Sequence, residues 1–247
     1  MKQLALSIAS LPFRILPSLV RRFICLFAFH ATAQQTPRAA MRALLEIDDY
    51  LTMCINQVAL RYDGGVHVKH RLMQYHDFFV DRIARGERVL DIGCGYGAVA
   101  YSVASQSGAI VTGVDFNSEN IALARARFQH PNLTFIEGDA LKDLPQGRFD
   151  VILLSNILEH LDRRIEFLSA TCKRFNPKRY LIRVPMINRD WRVPLRKELG
   201  LFHFSDKTHY TEYMQDSFEE EMRAAGLLVA HLQINWGEIW AEVRHNA

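Results

Sequence analysis

Residues 89–97 read Val-Leu-Asp-Ile-Gly-Cys-Gly-Tyr-Gly, and few folds can use such a stretch. Val89, Leu90 and Ile92 have the character of the end of a buried strand. Gly93, Gly95 and Gly97 then let the chain turn tightly, and without a Cβ their amides can approach a ligand closely. Tyr96 to Gln106 reads as a helix, which places that ligand at a helix N-terminus. Strand, glycine turn and helix together specify a nucleotide-type cofactor. Dinucleotide loops favour G-x-G-x-x-G, whereas here the glycines alternate and Asp91 stands two residues before the first.

Further landmarks follow at intervals. Ala109 to Asp115 is a second apolar run that ends in an acid, 24 residues after Asp91. A third run, Leu133 to Ile136, leads into Glu137-Gly138-Asp139-Ala140, and a fourth, Phe149 to Asn156, leads into the helical segment Ile157 to Leu161. A fifth covers Arg179 to Val184. Gly226 to Trp236 and Glu238 to Arg244 read as two strands joined by a turn at Gly237. Such alternation predicts an α/β sheet with helices on both faces.

In this order the landmarks resemble those of the class I S-adenosylmethionine (SAM)-dependent methyltransferases, of the type 11, 12 and 23 kind. The resemblance implies a Rossmann-like, seven-stranded, mostly parallel sheet with a reversed C-terminal β-hairpin, and SAM as cofactor. It places Asp91, Gly93, Cys94, Gly95 and Gly97 around the methionine end of SAM. Asp115 is expected on the ribose hydroxyls, with Phe116 and Asn117 beside the adenosine. Asp139 is expected on the adenine amino group, the Ala140 amide on its ring, and Ser155 and Asn156 beside the transferable methyl.

At 247 residues and 49% hydrophobic composition the chain suits one domain with extensions. Cys25, Cys54, Cys94 and Cys172 form no C-x-x-C pair, so neither a disulfide framework nor a zinc site is expected, and a cytoplasmic protein is. Charge is uneven. Residues 1–45 carry six basic residues and no acid, leaving 24 basic and 27 acidic residues in 46–247. Residues 1–35 read as an amphipathic basic extension interrupted by Pro12 and Pro17, with Leu and Phe opposite the arginines, a composition suited to the inner face of a membrane. A lid on the protein's own surface or on a second subunit is the other reading. No apolar stretch reaches the ~20 residues of a spanning helix. Ala31-Thr32-Ala33 has the form of a leader cleavage site, but the internal arginines count against export.

Residues 36–86 read as a helical cap. Thr36-Pro37 opens a helix to about Leu60 that stops near Gly64-Gly65, and a second runs from about Val68 to Ala84. Relatives cover the cofactor with this region, which makes Tyr75 or His76 a candidate to close over SAM. The SAM-binding domain then occupies 87–247.

Methyl transfer is an in-line displacement, and a base is needed only when the nucleophile arrives protonated. Ser155-Asn156-Ile157-Leu158-Glu159-His160 lacks the two prolines and aromatic of base N-methylating enzymes, which favours O-methylation. His160 is the first candidate base. Pro185 to Tyr213 is the candidate acceptor loop, contributing His209 to catalysis and Trp191, His203 and Tyr210 to a small-molecule, sugar or lipid-linked glycan acceptor. The plain alternative for this stretch is a surface loop with a helix N-terminus near Thr211, where Glu212 opposes the helix dipole. Terminal RNA 2′-O-methyltransferases carry a metal-binding Glu-x-x-Glu-His segment and a later histidine. Asn156-x-x-Glu159-His160 with His209 resembles that set with its first carboxylate replaced. RNA ribose methylation and a catalytically idle SAM-binding subunit are therefore the alternatives, although the acidic balance of 46–247 disfavours nucleic acid.

Overall fold

The computed structural model describes residues 15–245, so the part of the amphipathic extension that falls on 1–14 lies outside the described residues. The described residues divide into two compact units, 15–67 with Arg196–Leu201, and Val68–Leu195 with 202–245.

The first unit is built on two helices, α1 (Ser18–Ala33) and α2 (Pro37–Tyr62). Pro17 precedes α1 and Pro37 opens α2, where a fixed φ is useful and a missing N–H costs nothing. Thr36 stands at the N-cap without a side-chain bond to the helix. Arg196 joins the unit to itself, donating to Asp49 at 3.0 Å and to the Leu45 carbonyl at 3.1 Å.

In the second unit the helix expected over Val68–Ala84 is two short ones, α3 (Lys69–Met73) and α4 (Tyr75–Val80). Gln74, at φ 51°, breaks them apart. The left-handed residue redirects the chain so that Tyr75, Phe78 and Phe79 can all be buried. Next come β1 (Arg88–Ile92), α5 (Ala98–Ser107), β2 (Ile110–Asp115), α6 (Ser118–Arg127), β3 (Leu133–Glu137), β4 (Val151–Ser155) and a 3-10 turn at Leu158–His160. They are followed by α7 (Arg164–Phe175), β5 (Arg179–Pro185), α8 (Arg192–Glu198), α9 (Gln215–Ala224), β6 (Leu227–Asn235) and β7 (Glu238–His245).

The seven strands form one sheet in the order β3-β2-β1-β4-β5-β7-β6. The first five are parallel, and β7 runs antiparallel between β5 and β6. This is the Rossmann-like sheet with a reversed final hairpin that the motif order implied. Side chains alternate across it. Leu90, Ile92, Ile152, Leu154 and Ile182 face Phe167 and Leu168 of α7 and Phe218 and Met222 of α9. Val89, Val111, Val151, Leu153 and Leu181 face Phe78 and Phe79 of α4 and Val99, Ala100 and Val103 of α5. Covering both faces is what makes these strands continuous apolar runs.

α5 starts at Ala98, not Tyr96, because Gly97 at φ 81° is its N-cap. A Cβ there would also strike the Phe135 ring. Gly95, at φ 52°, has open space where its Cβ would be. Gly97→Ala should therefore cost about 2–5 kcal/mol, strain plus overpacking, and Gly95→Ala only about 1–2 kcal/mol, measured by urea unfolding.

Candidate functional site

β1 and β4 are neighbours, but the chain leaves β1 toward β2 and β4 toward β5. A crevice opens at the carboxyl ends of strands that diverge in this way. Here it is a cavity of about 750 Å³, within the ordinary range of small-molecule sites. Gly93, Asp115, Phe116, Asp139, Ala140, Asn156, His160, His209 and Tyr210 all line it.

The glycine turn is tied to the end of β2. The Gly93 and Cys94 amides donate to the Val114 carbonyl at 2.7 and 2.9 Å. The Gly95 amide donates to Asp115 Oδ2 at 2.9 Å, while Asp115 Oδ1 accepts from the Asn117 amide at 2.9 Å and from Asn120 Nδ2 at 3.2 Å. Asp91 lies buried beneath the turn with its Oδ2 unpartnered. Burial and the nearby charge of Asp115 push its carboxyl up to about 7. Burial also pushes the Cys94 thiol well above its ordinary range, and its Sγ lies where a Cβ on Gly113 would go, so this residue packs. Asp139 accepts from the Leu141 amide at 2.8 Å and from Lys142 at 3.2 Å, which holds its carboxyl below the usual range.

Beyond β4 the chain turns through Asn156, a non-glycine residue at φ 58° whose Oδ1 is buried without a partner. Ser155 Oγ instead receives the Arg183 guanidinium at 3.3 Å. Glu159 is fully buried, neither carboxyl oxygen has a partner, and burial pushes it up to about 8.

His160 and His209 meet with ring centroids 4.5 Å apart. Their hydrogen bonds assign both tautomers. Thr208 donates its hydroxyl proton to Asp206 at 2.6 Å, so its oxygen accepts from His160 Nδ1 at 2.8 Å. His209 Nδ1 donates to the Glu212 carboxylate at 3.0 Å. In its neutral form each ring then carries its lone pair on Nε2. Burial and the neighbouring His209 hold His160 below its ordinary value, which keeps it neutral near pH 7.

The role of Glu212 carries no signal in the sequence. The helix begins at Gln215, and Glu212 is a buried acceptor rather than a first-turn residue. It receives the Ser205 amide and hydroxyl, His209 and Arg189. Burial alone would raise its carboxyl, but these partners hold it below the ordinary range. The Tyr210 amide ties the same segment to the Glu159 carbonyl at 2.8 Å.

Of the acceptor-loop residues, Tyr210 joins the cavity wall, but Trp191 and His203 do not; Trp191 is 69% exposed. Tyr75 and His76 are not in that wall either. They belong to a chain in which Tyr75 Oη meets His70 Nδ1 at 2.7 Å and His76 Nδ1 meets Ser102 at 2.7 Å. Arg183 stacks 3.8 Å above the Tyr75 ring and pairs with Glu238 at 2.5 and 2.6 Å. Burial and the Arg183 charge push His76 down to about 4.

The methyltransferase-domain family model matches residues 65–232. The chain belongs to the class I SAM-dependent methyltransferases. Among its relatives, the fatty-acid O-methyltransferase of Mycolicibacterium smegmatis is 34% identical over 119 residues, covering 46% of this chain and 42% of that protein. A ubiquinone biosynthesis O-methyltransferase of Psychrobacter cryohalolentis is 35% identical over 98 residues, 37% of this chain and 38% of its own. The chain thus spans less than half the length of these relatives. Human N-acetylserotonin methyltransferase in complex with SAM has the same fold, with a TM-score of 0.60 at 18% identity over 76% of this chain and 56% of that one.

The residues of this methyltransferase fit SAM. Gly95 leaves open space beside the turn, Asp115 stands at the end of β2, and the buried Asn156 Oδ1 lacks a protein partner. Among the described residues, Glu159, His160 and His209 also offer three ligand atoms within 4.8 Å of one another.

Replacing Glu212 by alanine should free His209 and leave Arg189 without its carboxylate. The expected result is a stability loss of about 2–4 kcal/mol, with new protease cleavage between residues 203 and 213, read by mass spectrometry.

Proposed function

We propose that this methyltransferase transfers the methyl group of SAM to an oxygen atom of a small-molecule, sugar or lipid-linked acceptor. The observation that carries this reading is the pair of imidazoles in the cavity wall, each hydrogen-bonded at Nδ1, which leaves Nε2 to act on an acceptor. The O-methyltransferase names of the relatives support it. So does the sequence Ser155 to His160, which lacks the prolines of base N-methylation. A fatty-acid enzyme among those relatives, with the basic apolar amino-terminal segment, favours an acceptor met at the cytoplasmic face of a membrane.

When bound, SAM supplies a methyl group on a cationic sulfur. Asp115 is suited to the ribose hydroxyls through Oδ2, which accepts only from the Gly95 amide and keeps an acceptor site, whereas Oδ1 already accepts from Asn117 and Asn120. The Asp139 carboxylate and the Ala140 amide stand ready for the adenine edge, and Asn156 Oδ1 for the methionine end or the methyl. His160 Nε2 would take the acceptor's hydroxyl proton and pass it to solvent, while the methyl would leave the sulfonium for the acceptor oxygen and the sulfur would depart as a neutral thioether. The Glu212–His209 and Asp206–Thr208–His160 chains fix both rings for that task.

The donor cluster favours a second reading, in which Glu159, His160 and His209 hold a divalent cation that polarises the acceptor oxygen. Three experiments test the cofactor assignment, the role of His160 and the choice between these readings. Gly95→Arg fills the open space beside the turn and should abolish SAM binding by calorimetry; normal affinity would refute the cofactor assignment. His160→Ala should lower kcat by about 100-fold or more while the SAM Kd is kept. Turnover of the unaltered enzyme that withstands full chelation assigns His160 to proton transfer, and turnover that collapses and returns with added Mg²⁺ or Mn²⁺ assigns it to the metal.

A further inference from the structure

α1 buries none of its residues. Leu19, Phe23 and Phe27 are 78%, 70% and 67% exposed, and Val20, Ile24 and Leu26 are exposed beside them. In a water-soluble unit a helix normally hides such side chains, and α2, which α1 packs along, covers none of them fully.

The exposed residues have a pattern. At 3.6 residues per turn, Leu26, Leu19, Phe23, Phe27, Val20, Ala31 and Ile24 cover one continuous arc of about 160°. Ser18, Cys25 and Thr32 lie opposite, with Arg21 and Arg22 at the two edges of that polar side. His30 interrupts the apolar arc and Phe29 the polar one, both in the second half of the helix. Arginines at the borders of an apolar face can lay their stems along it and carry the guanidinium to the height of lipid headgroups.

Length and charge select among occupants. Sixteen residues make a helix of about 24 Å, short of the ~30 Å hydrocarbon core, and no described helix is long and apolar enough to cross a membrane. The helix must lie along a surface. A second copy docked on this face by two-fold symmetry would set Arg21 and Arg22 against the same arginines, in a segment whose first 45 residues hold six cations and no acid. A surface of opposite charge and apolar interior meets both features at once.

We infer that α1 is an in-plane docking helix for bilayers rich in anionic phospholipid, with Leu19, Phe23 and Phe27 in the acyl layer and Arg21 and Arg22 on the headgroups. This inference does not depend on the methyl-transfer reading, since binding is measured without SAM or acceptor. α2 carries a different exposed strip, Leu51, Ile55, Val58 and Tyr62, at helical spacing. A second copy would pair there, and the experiment has to tell the two apart.

The test is co-sedimentation of the full-length protein with phosphatidylcholine vesicles containing either none or about 30% phosphatidylglycerol. Strong binding to the anionic vesicles alone, lost in high salt, is expected. Each arginine contributes about fivefold to partitioning, so Arg21→Gln with Arg22→Gln should weaken binding about 25-fold. Phe23→Asp with Phe27→Asp should abolish it. Both variants should keep the wild-type circular dichroism spectrum and SAM affinity, which shows that they are folded and leaves the cofactor assignment to its own test. Binding that neither double variant weakens overturns the inference. So does a protein that ignores anionic vesicles, whether it sediments as a monomer or as a dimer.

Discussion

The turn from Gly93 to Gly97 is the constraint on which the carboxyl end of the sheet depends. Its three glycines sit at φ 72°, 52° and 81°, a region where a side chain is strained. A Cβ on Gly93 would enter Ile157, and one on Gly97 would enter Phe135. Only the middle glycine faces open space. Two of the glycines thus let Ile157 and Phe135 of β3 approach the loop closely, and one keeps room beside it. The Asp115 carboxylate then fastens the loop to β2 through the Gly95 amide. Cofactor wall and sheet core are set by one short turn.

Two buried glutamates show how charge is handled around that wall. Glu212 is surrounded by donors, so burial does not raise its carboxyl, and the ionised form organises Ser205, His209 and Arg189. Glu159 has no donor at either oxygen, and burial drives it toward the protonated form. An unsatisfied buried carboxyl is costly. It lies next to His160 and His209, with one ligand atom from each of the three residues within 4.8 Å of the others.

Much of this was legible along the chain. Val89 to Ile92, Ile110 to Asp115 and Val151 to Ser155 are apolar because both faces of their sheet are covered, and the residues after them mark where the strands end. Asp115, Asp139, Asn156 and His160 could be named because each follows such a run. The break at Gln74 could not, since glutamine carries no turn signal and the burial of Tyr75, Phe78 and Phe79 decides it. The role of Glu212 could not be read either, because its partners, from Arg189 to His209, converge on it only when the loop folds back. Trp191 and His203 were chosen for their chemistry, and the chain carries them away from the cavity wall.

Sequence by itself determined the sheet, the glycine turn, the methyl donor and the uneven charge of the amino-terminal segment. All of these rest on local period, on residues that alone tolerate a conformation, and on order along the chain. Tertiary structure decided which histidines meet, which ring nitrogens keep their lone pairs, and which carboxylates are satisfied. These depend on hydrogen bonds between residues as far apart as His160 and Thr208. No periodicity records such pairings, because they exist only after the strands have brought their ends together.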